Sequence, residues 1–390
     1  MAGKVLVAMS GGVDSSVTAA LLKSQGHDVV GIHLQLSNQT EANQAKFGSR
    51  CCSIVDSNDA RRVCERIGAP FYVINAQEVF REKVIDYFVH EYLSLRTPNP
   101  CAECNTKIKF SFLFEKADEL GCEFVATGHY AQVDRNPVTG EVRLRKAIDP
   151  AKDQSYFLFG LTAKALARTM MPLGGFSKAM VRKLAANFEL TNVAEKHDSQ
   201  EICFIGSDGY KGFIEKNTPS DLRPSGRIET VSGTVVGSHS GLYQYTVGQK
   251  KGLNFSKGVM DADKFFVVGF DRDKSSLIVG DETKLMQSEA VASSVNWIIP
   301  VDPLKPFACS AKIRSQHPGA ECTVMLFENN TVRVAFKEPQ RAITPGQAIV
   351  FYQGDVVMGG GFIDSVRGSL ANPTPVLEAD YVENARSLHH

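Results

Sequence analysis

The first 200 residues alternate short apolar runs with longer segments whose apolar residues recur at helical spacing. The short runs predict strands and the longer segments predict helices. The predicted strands are Lys4–Met9, Val29–Leu36, Phe71–Ile74 and Phe124–Thr127. The predicted helices are Val17–Gln25, Asp56–Ile67, Glu78–Leu95 and Thr106–Leu120. This alternation predicts an α/β fold, a doubly wound parallel sheet with helices on both faces.

The pattern changes after about residue 205, where short strand-like runs dominate. They are Gly233–Val236, Tyr243–Val247, Lys264–Val268, Leu277–Val279, Ala308–Ile313, Cys322–Phe327, Thr331–Phe336 and Ala348–Tyr352. The Asn-rich turn before Thr331 predicts a hairpin, and residues 301–306 are typical of a linker or loop. We therefore expect an α/β domain at 1–205, a small β-rich central domain at 206–282, a C-terminal β-barrel of five or six strands at 283–370, and a tail at 371–390.

Composition and charge narrow the class of protein. Of the 390 residues, 43% are hydrophobic and 22% charged, which is ordinary for a globular chain. Lys and Arg number 43, as do Asp and Glu, so nonspecific coating of nucleic acid is disfavoured, although a local basic face remains compatible. The sequence has no apolar run of about 18 residues and no recognisable signal peptide, so we expect a cytoplasmic protein without a membrane partner.

A Gly-rich loop, Ser10–Ser16, lies between the first predicted strand and the first predicted helix. Its glycines allow close approach to a phosphate, and the helix that follows directs N–H groups and its positive dipole end at that phosphate. The Walker lysine and the dinucleotide glycine pattern are both absent. Ser-Gly-Gly-x-Asp-Ser instead resembles the pyrophosphate loop of the N-type ATP pyrophosphatases, the PP-loop family. This resemblance implies ATP, accompanied by Mg²⁺.

The nine cysteines do not suggest a disulfide framework, because their number is odd and no export signal is present. Cys101 and Cys104 lie in a segment stiffened by two prolines, where we expect Asn105 to cap the next helix and Cys104 to have a lowered pKa. Cys203 lies in a polar segment. The alternative for these thiols is the role of small buried hydrophobes. The other cysteines are interpreted as structural: Cys51, Cys52, Cys64, Cys122, Cys309 and Cys322.

Further motifs follow the loop in a fixed order. They are Thr97–Asn105 followed by Ile108–Phe110, Ala126–Tyr130, Lys152–Tyr156, Asp198–Ile205 and Tyr245–Leu253. Together with the loop, this set resembles the bacterial tRNA 2-thiouridylase family over nearly the whole chain. The resemblance implies ATP-dependent sulfur transfer to carbon 2 of the wobble uridine in tRNAs for Lys, Glu and Gln. Adenylation of the uridine oxygen would release pyrophosphate, and a persulfide donor or relay protein would supply the sulfur.

The resemblance also implies roles for particular residues. Cys104 would be the nucleophile, and Cys203 would carry the incoming sulfur as a persulfide. ATP would contact Ala8, Met9, Ser10, Gly11, Gly12, Val13, Asp14, Ser15, Leu34 and Gly128. The tRNA would contact Asn99, Pro100, Cys101, His129, Lys152, Asp153, Gln154, Arg314, Ser315 and Gln347. Without the motifs, His129 would be interpreted as a structural histidine and Arg314 as a solvated arginine.

Cys101 departs from the family pattern, because much of the family has aspartate at this position. The Cys-x-x-Cys spacing of Cys101 and Cys104 is common where two thiolates share a metal. With Cys203 they would provide three ligands, so an iron–sulfur cluster is one hypothesis. A redox dithiol is the alternative.

Two other functions remain open from the sequence. The first is another ATP pyrophosphatase, either an amide-forming synthetase or a tRNA 4-thiouridine synthase. The second is a non-catalytic RNA-binding protein with a vestigial nucleotide loop. Two thiol segments far apart in sequence disfavour the amide-forming synthetases. The intact Ser10–Ser16 loop disfavours the non-catalytic RNA-binding protein.

Overall fold

A computed structural model describes residues 3–36, 54–194, 196 and 202–366. Cys51, Cys52, most of the motif that precedes Cys203, and the predicted tail at 371–390 lie outside these residues. The strands are β1 Lys4–Ala8, β2 Asp28–Gln35, β3 Phe71–Asn75, β4 Phe124–Ala126, β5 Ala131–Arg135, β6 Val142–Lys146, β7 Thr169–Met170, β8 Gly226–Thr230, β9 Val235–His239, β10 Phe266–Asp271, β11 Ser276–Gly280, β12 Met286–Trp297, β13 Phe307–Lys312, β14 Ala320–Phe327, β15 Thr331–Arg341, β16 Ala348–Gln353 and β17 Val356–Ser365.

Helices surround the first sheet and are sparse elsewhere. The α-helices are Val13–Ser24, Ile54–Arg66, Gln77–Phe80, Asp86–Leu93, Pro100–Glu103, Ser111–Glu119, Ala163–Leu166, Lys178–Asn187, Thr191–Ala194 and Gly209–Asn217. Two π-helical segments, Arg81–Ile85 and Cys104–Phe110, join neighbouring α-helices. Across the described ranges, none of these helices has the length and apolar character needed to cross a bilayer.

The first sheet is parallel, with the strand order β3-β2-β1-β4-β7. One face packs against the helices that carry Val17 and Val63, and the other against the helix that carries Leu113. The predicted doubly wound fold is therefore confirmed. After β1 the chain adds β2 and β3 on one side of that strand, and it later adds β4 and β7 on the other side. The topological switch point therefore lies between β1 and β4. Ligands of such sheets bind at the carboxyl ends of the strands beside this point.

Two of the predicted helices are interrupted. The predicted helix Glu78–Leu95 is two α-helices joined by the π segment Arg81–Ile85. The predicted helix Thr106–Leu120 begins earlier, since the π segment Cys104–Phe110 continues directly into Ser111–Glu119. Periodicity alone does not distinguish an α-helix from one that contains a π turn, and such turns are frequent at functional sites.

The central sheet has the strand order β10-β11-β8-β9. The predicted strand Tyr243–Val247 is wrong, because Leu242–Gln244 form a single 3₁₀ turn. Its aromatic side chains are buried all the same: Tyr243 packs against the helices that carry Phe88 and Ile214, and its hydroxyl donates a 2.6 Å hydrogen bond to Glu215. Burial of aromatic rings, not sheet pairing, explains this apolar run.

The C-terminal sheet closes into a barrel. Six strands follow one another in the order β12-β15-β14-β13-β16-β17, and β17 pairs again with β12. The prediction of a barrel with five or six strands is confirmed. The predicted hairpin is β14–β15, whose turn residues Asn329 and Asn330 have left-handed φ angles of 57° and 53°. The segment 301–306 belongs to the loop that connects two strands of the barrel, β12 and β13.

The hairpin β5–β6 comes from the first 205 residues but extends the sheet of the C-terminal barrel. Strand β6 pairs with β17, and Arg145 Nε donates to Asp355 at 3.0 Å across this junction. One core cluster contains Leu144 and Tyr156 from the first part of the chain together with Val350 from the barrel. Sequence patterning missed this hairpin because its strands are short and largely polar.

Candidate active site

The loop Ser10–Ser16 lies at the carboxyl end of β1, beside the switch point. The helix α1, Val13–Ser24, begins directly after Gly12. Ser15 Oγ accepts a 3.2 Å hydrogen bond from Ser10 N and donates to Gly12 O at 3.1 Å, so the serines hold the loop in a tight turn. Gly11 has a φ of +77°, and a Cβ there would lie 2.2 Å from Asp56 O. Only glycine fits this position.

Gly128 follows β4 and packs directly on the loop. A Cβ at Gly128 would lie 2.8 Å from Ser15 N and 2.9 Å from the Asp14 carbonyl carbon. The next residue, His129, stacks on Phe110 of the π segment that begins at Cys104, with ring centroids 6.2 Å apart. Two consecutive residues thus connect the phosphate loop with the segment that carries a candidate nucleophile.

Lys178 supplies a cation to the loop, which has no lysine of its own. Its Nζ donates to both Asp14 carboxylate oxygens at 2.8 Å, and Tyr130 OH donates to Asp14 at 2.7 Å. The Lys178 side chain is only 12% exposed. Ser177 caps the Lys178–Asn187 helix by accepting from Met180 N, which fixes Lys178 in the first turn. Sequence analysis missed Lys178, because no local pattern links it to a loop 164 residues away.

Lys196 holds the loop from its other side. Its Nζ donates to Gly11 O at 3.0 Å and pairs with Asp56 at 2.9 Å and Asp59 at 2.6 Å. Burial alone would lower the pKa of Lys196, but the hydrogen bonds and charges of Asp59 and Asp56 outweigh it and raise the pKa. Lys196 is therefore a fixed positive charge beside the loop. Sequence analysis missed this residue as well.

The residue after β1 and the neighbouring strand β2 contribute apolar and polar groups beside the loop. Met9 is buried, and Leu34 is partly buried between two core clusters. His33 is 1% exposed and its Nδ1 lies 2.8 Å from Met9 O. Burial lowers the pKa of His33 despite that bond and the charge of Asp56, so the ring is neutral. In the described part of the chain, His33 Nε2 has no hydrogen-bond partner.

The Thr97–Cys104 segment is helical from Pro100 onward and is not a loop around both thiols. Asn99, rather than the predicted Asn105, caps the helix, with its Oδ1 accepting from Ala102 N at 3.2 Å. Asn105 is buried inside the π segment, and its Nδ2 donates to Phe157 O at 3.0 Å. Cys104 follows this short helix as the first residue of the π segment and is buried.

The three predicted thiols have different surroundings. Cys101 is exposed, Cys104 is buried and Cys203 is half-buried. Cys104 and Cys203 pack in one cluster with Phe80 and Leu34, the latter a predicted ATP contact. Within the described ranges, no set of three His, Cys, Asp or Glu side chains is placed to hold a metal ion. The structure therefore places Cys104 and Cys203 in one cluster with Leu34 but does not assemble the predicted ligand set with Cys101.

The barrel anchors the segment that precedes Cys101. Gln347 Nε2 donates to Thr97 O at 3.0 Å and Pro98 O at 3.3 Å, and Thr97 N donates to Pro345 O at 2.8 Å. Arg96 pairs with Glu91 at 2.8 Å and with Asp364 at 3.2 Å. Gln347, predicted from the resemblance as a tRNA contact, is thus also a support of the Cys101–Cys104 segment.

The Lys152–Gln154 segment makes internal hydrogen bonds. Asp153 Oδ1 accepts from Ala147 N at 3.1 Å and from Ser155 N at 3.2 Å. Gln154 Oε1 accepts from Tyr130 N at 2.9 Å. Asp153 and Gln154 therefore shape a turn next to the loop. The side chain of Lys152 is partly exposed and offers a positive charge at this turn.

His129, Arg314 and Ser315 are the remaining predicted tRNA contacts. Burial, followed by the charge of Lys109, lowers the pKa of His129 to about 3, so its imidazole is neutral and does not neutralise a phosphate. Arg314 is exposed at the end of β13, next to Ser315, and its Nη1 donates to Arg341 O at 3.2 Å. Arg341 and Lys250 lie 5.1 and 5.2 Å from the ring centroid of Phe266. Arg341 also pairs with Glu282 at 2.7 Å, so Arg314 and Lys250 are the cations that this junction of the barrel and the central sheet offers.

A serine- and glycine-rich loop at the switch point of a parallel sheet, flanked by two lysines, defines a nucleotide-binding enzyme of the PP-loop class. Residues 3–207 match the family described as the tRNA methyl transferase HUP domain. The tRNA-specific 2-thiouridylase MnmA of Geobacter metallireducens is 47% identical over 93% of this chain and 97% of its own length. The chain belongs to the tRNA-specific 2-thiouridylase family.

Other comparisons cover the rest of the chain. Residues 211–281 match the tRNA methyl transferase PRC-barrel domain, and residues 287–363 match the aminomethyltransferase beta-barrel domain. The tRNA-specific 2-thiouridylase MnmA of Clostridioides difficile is 42% identical over 93% of this chain and 98% of its own length. A solved 4-thiouridine synthetase–RNA complex with bound ATP is 16% identical, covering 56% of this chain and 51% of that one, with a TM-score of 0.32.

Proposed function

We propose that this protein uses ATP to transfer sulfur to carbon 2 of the wobble uridine in tRNAs for Lys, Glu and Gln. The products are 2-thiouridine, AMP and pyrophosphate. Membership of the 2-thiouridylase family supports formation of 2-thiouridine in tRNA. The observation that carries the mechanism is the single cluster in which Cys104 and Cys203 pack with Leu34, at the strand ends beside the phosphate loop.

In the first step the uridine O2 attacks the α-phosphorus of ATP and pyrophosphate leaves. Loop N–H groups and the dipole of α1 stabilise the charge that builds up on the departing phosphates. Lys178 and Lys196 contact the loop from two sides, Lys178 through Asp14 and Lys196 through Gly11 O, and hold it in place for this step. Uridine oxygen is a poor leaving group, and its adenylation converts it into a good one.

Mg²⁺ would accompany the pyrophosphate, and Asp14 is the carboxylate in the loop that could orient it. Both Asp14 oxygens accept hydrogen bonds from Lys178. Asp14 fits as a metal ligand only if it shares its oxygens with Lys178, so no step is assigned to the ion here. The ion would neutralise phosphate charge.

In the second step the terminal sulfur of a Cys203 persulfide attacks carbon 2 and displaces AMP. The Cys104 thiolate then attacks the Cys203 sulfur. The bond between the two persulfide sulfurs breaks, sulfur stays on carbon 2, and a Cys104–Cys203 disulfide forms. A cellular dithiol must reduce that disulfide, and a persulfide donor must reload Cys203. Packing of both thiols in one cluster supports this exchange.

An iron–sulfur cluster on Cys101, Cys104 and Cys203 remains the alternative for the second step. The residues as placed do not fit it, because Cys101 is exposed while Cys104 is buried, and no set of three ligands is assembled in the described ranges. The relay is therefore preferred, and no step is assigned to a cluster.

The deciding experiment measures pyrophosphate release from ATP with and without tRNA that lacks 2-thiouridine, followed by nucleoside mass spectrometry. We expect tRNA-dependent release and replacement of oxygen by sulfur at carbon 2 of the wobble uridine. Asp14→Ala should abolish release in a folded protein, because it removes the carboxylate held by Lys178 and Tyr130. Thiolation at carbon 4 instead would identify a 4-thiouridine synthase, whereas tRNA binding without pyrophosphate release would identify a non-catalytic protein.

A further inference from the structure

Two cysteines outside the active site lie side by side on neighbouring strands of the C-terminal barrel. Cys309 on β13 and Cys322 on β14 are directly opposed in the antiparallel ladder. Their sulfur atoms lie 3.6 Å apart. Directly opposed residues of antiparallel strands have Cβ atoms about 4.5–5.5 Å apart, close to the roughly 3.5–4.5 Å of a disulfide. The strand register therefore already provides most of the geometry that a bond needs.

The two thiols differ in accessibility. Cys309 is half-buried, whereas Cys322 is 4% exposed and packs in the barrel core with Val324 and Phe351. The two thiols share a 3.6 Å hydrogen bond in which either sulfur can donate, and the Cys322 thiol also lies 3.6 Å from Cys309 O, to which it donates. The hydrogen bond with the Cys309 thiol, together with burial, raises the pKa of Cys322. Cys309 is thus the thiol that an oxidant reaches first, and Cys322 is held beside it.

We propose that Cys309 and Cys322 form a redox-active dithiol, a modification site that closes to an intrachain disulfide. The oxidant class is a low-molecular-weight disulfide such as glutathione disulfide. Cys309 attacks one sulfur of the oxidant and releases one thiol, which leaves a mixed disulfide on Cys309. Cys322 then loses its proton and displaces the second thiol. Two protein thiols are oxidised, and one small disulfide is reduced to two thiols.

The bond would close the base of the connection between β13 and β14. That connection, residues 313–319, carries Arg314 and Ser315, two of the predicted tRNA contacts. A covalent clip between the strand ends restricts the conformations of the segment they enclose. The proposal does not depend on the active-site chemistry, because neither Cys104 nor Cys203 takes part in it.

The test uses the full, reduced chain incubated with glutathione disulfide and then alkylated under denaturing conditions. Trypsin cleaves after Lys312 and Arg314, so Cys309 and Cys322 fall in separate peptides. We expect mass spectrometry to find these two peptides linked, with the link lost on reduction. Cys64 and Cys122, both buried, are the matched controls and should remain alkylated.

A second experiment tests the order in which the two cysteines react and the effect of the disulfide on residues 313–319. In Cys322→Ser, Cys309 should stop at the mixed disulfide with glutathione, and hydrogen exchange in residues 313–319 should be slower in the oxidised wild type than in this variant. Recovery of Cys309 and Cys322 both alkylated from the wild type, or a mixed disulfide on wild-type Cys309 that never resolves, would overturn the proposal. The wild-type measurement stands even if the variant fails to fold.

Discussion

At the scale of single residues, the site depends on two lysines that lie far from the loop in sequence. The sequence predicts the loop itself, because glycine, serine and aspartate between a strand and a helix form a local pattern. Lys178 and Lys196 reach it only through tertiary structure, from segments 164 and 185 residues beyond their loop partners. A local motif cannot reveal partners that the fold brings together.

Lys178→Met should slow tRNA-dependent pyrophosphate release. The substitution keeps the length of the side chain but removes the charge at Asp14, and loss of one such stabilising group costs roughly 10²–10³ in rate. Lys183→Met is the control, since Lys183 is exposed on the same helix. Steady-state release at saturating tRNA is the measurement. Equal activity of the two variants would remove Lys178 from the phosphate site.

The Cys101→Ala variant distinguishes the persulfide relay from the iron–sulfur cluster mechanism. With a persulfide donor, we expect the variant to thiolate tRNA within a few-fold of wild type, because the relay uses only the thiols that share a cluster, Cys104 and Cys203. Cys104→Ala and Cys203→Ala should fall to background. Iron and sulfide analysis of anaerobically purified protein runs in parallel. The relay would be contradicted if the wild type contains iron and the Cys101→Ala variant loses both the iron and the thiolation activity.

At the scale of secondary-structure elements, the sequence predicted strands and helices well where apolar residues recur at a regular spacing. The parallel strands and the β14–β15 hairpin follow their patterns closely. Prediction failed where side chains, rather than backbone pairing, determine the structure, as in the 3₁₀ turn at Leu242–Gln244. It also failed for the cap, since Asn99 and Asn105 are equally good capping residues and only the position of Pro100 at the first turn favours Asn99.

Gln347→Ala tests whether a barrel residue positions the Cys101–Cys104 segment. The variant loses two hydrogen bonds to Thr97 and Pro98, each worth about 0.5–1.5 kcal/mol. We expect a lower kcat for thiolation with the tRNA dissociation constant and its salt dependence unchanged. Gln353→Ala, at the exposed end of β16, the strand that begins directly after Gln347, is the control. The reverse result, weaker binding at normal kcat, would make Gln347 a tRNA contact instead.

At the scale of the whole molecule, a net charge of zero requires that any tRNA affinity come from a local surface. Arg314 and Lys250 supply positive charge at the junction of the barrel and the central sheet, where Arg341 is paired with Glu282, while Lys152 supplies a charge near the loop. A long, shaped RNA needs contacts beyond one pocket. Sequence analysis identified two of these cations through the family resemblance, and the others became evident only when the strands were placed side by side.

Substituting Lys152 and Arg314 together by Ala should weaken tRNA binding and flatten its dependence on salt. Each lost phosphate contact lowers the slope of log K against log salt by roughly 0.7–0.9. Titrations at several salt concentrations give both quantities. The control pair is Lys164→Ala with Arg272→Ala, which removes the same charge from exposed positions elsewhere. An unchanged slope in the first pair would exclude Lys152 and Arg314 from the interface.

The β5–β6 hairpin has a consequence for how the chain can be divided. Because β6 pairs with β17, the first 205 residues by themselves would present an open strand edge and an uncovered apolar surface around Leu144. Such edges recruit other strands and promote aggregation. The first 205 residues are therefore not expected to fold and stay monomeric without the barrel. Grafting or dissection of this enzyme must carry the barrel with it, and loss of the barrel during evolution would require the hairpin to be rebuilt.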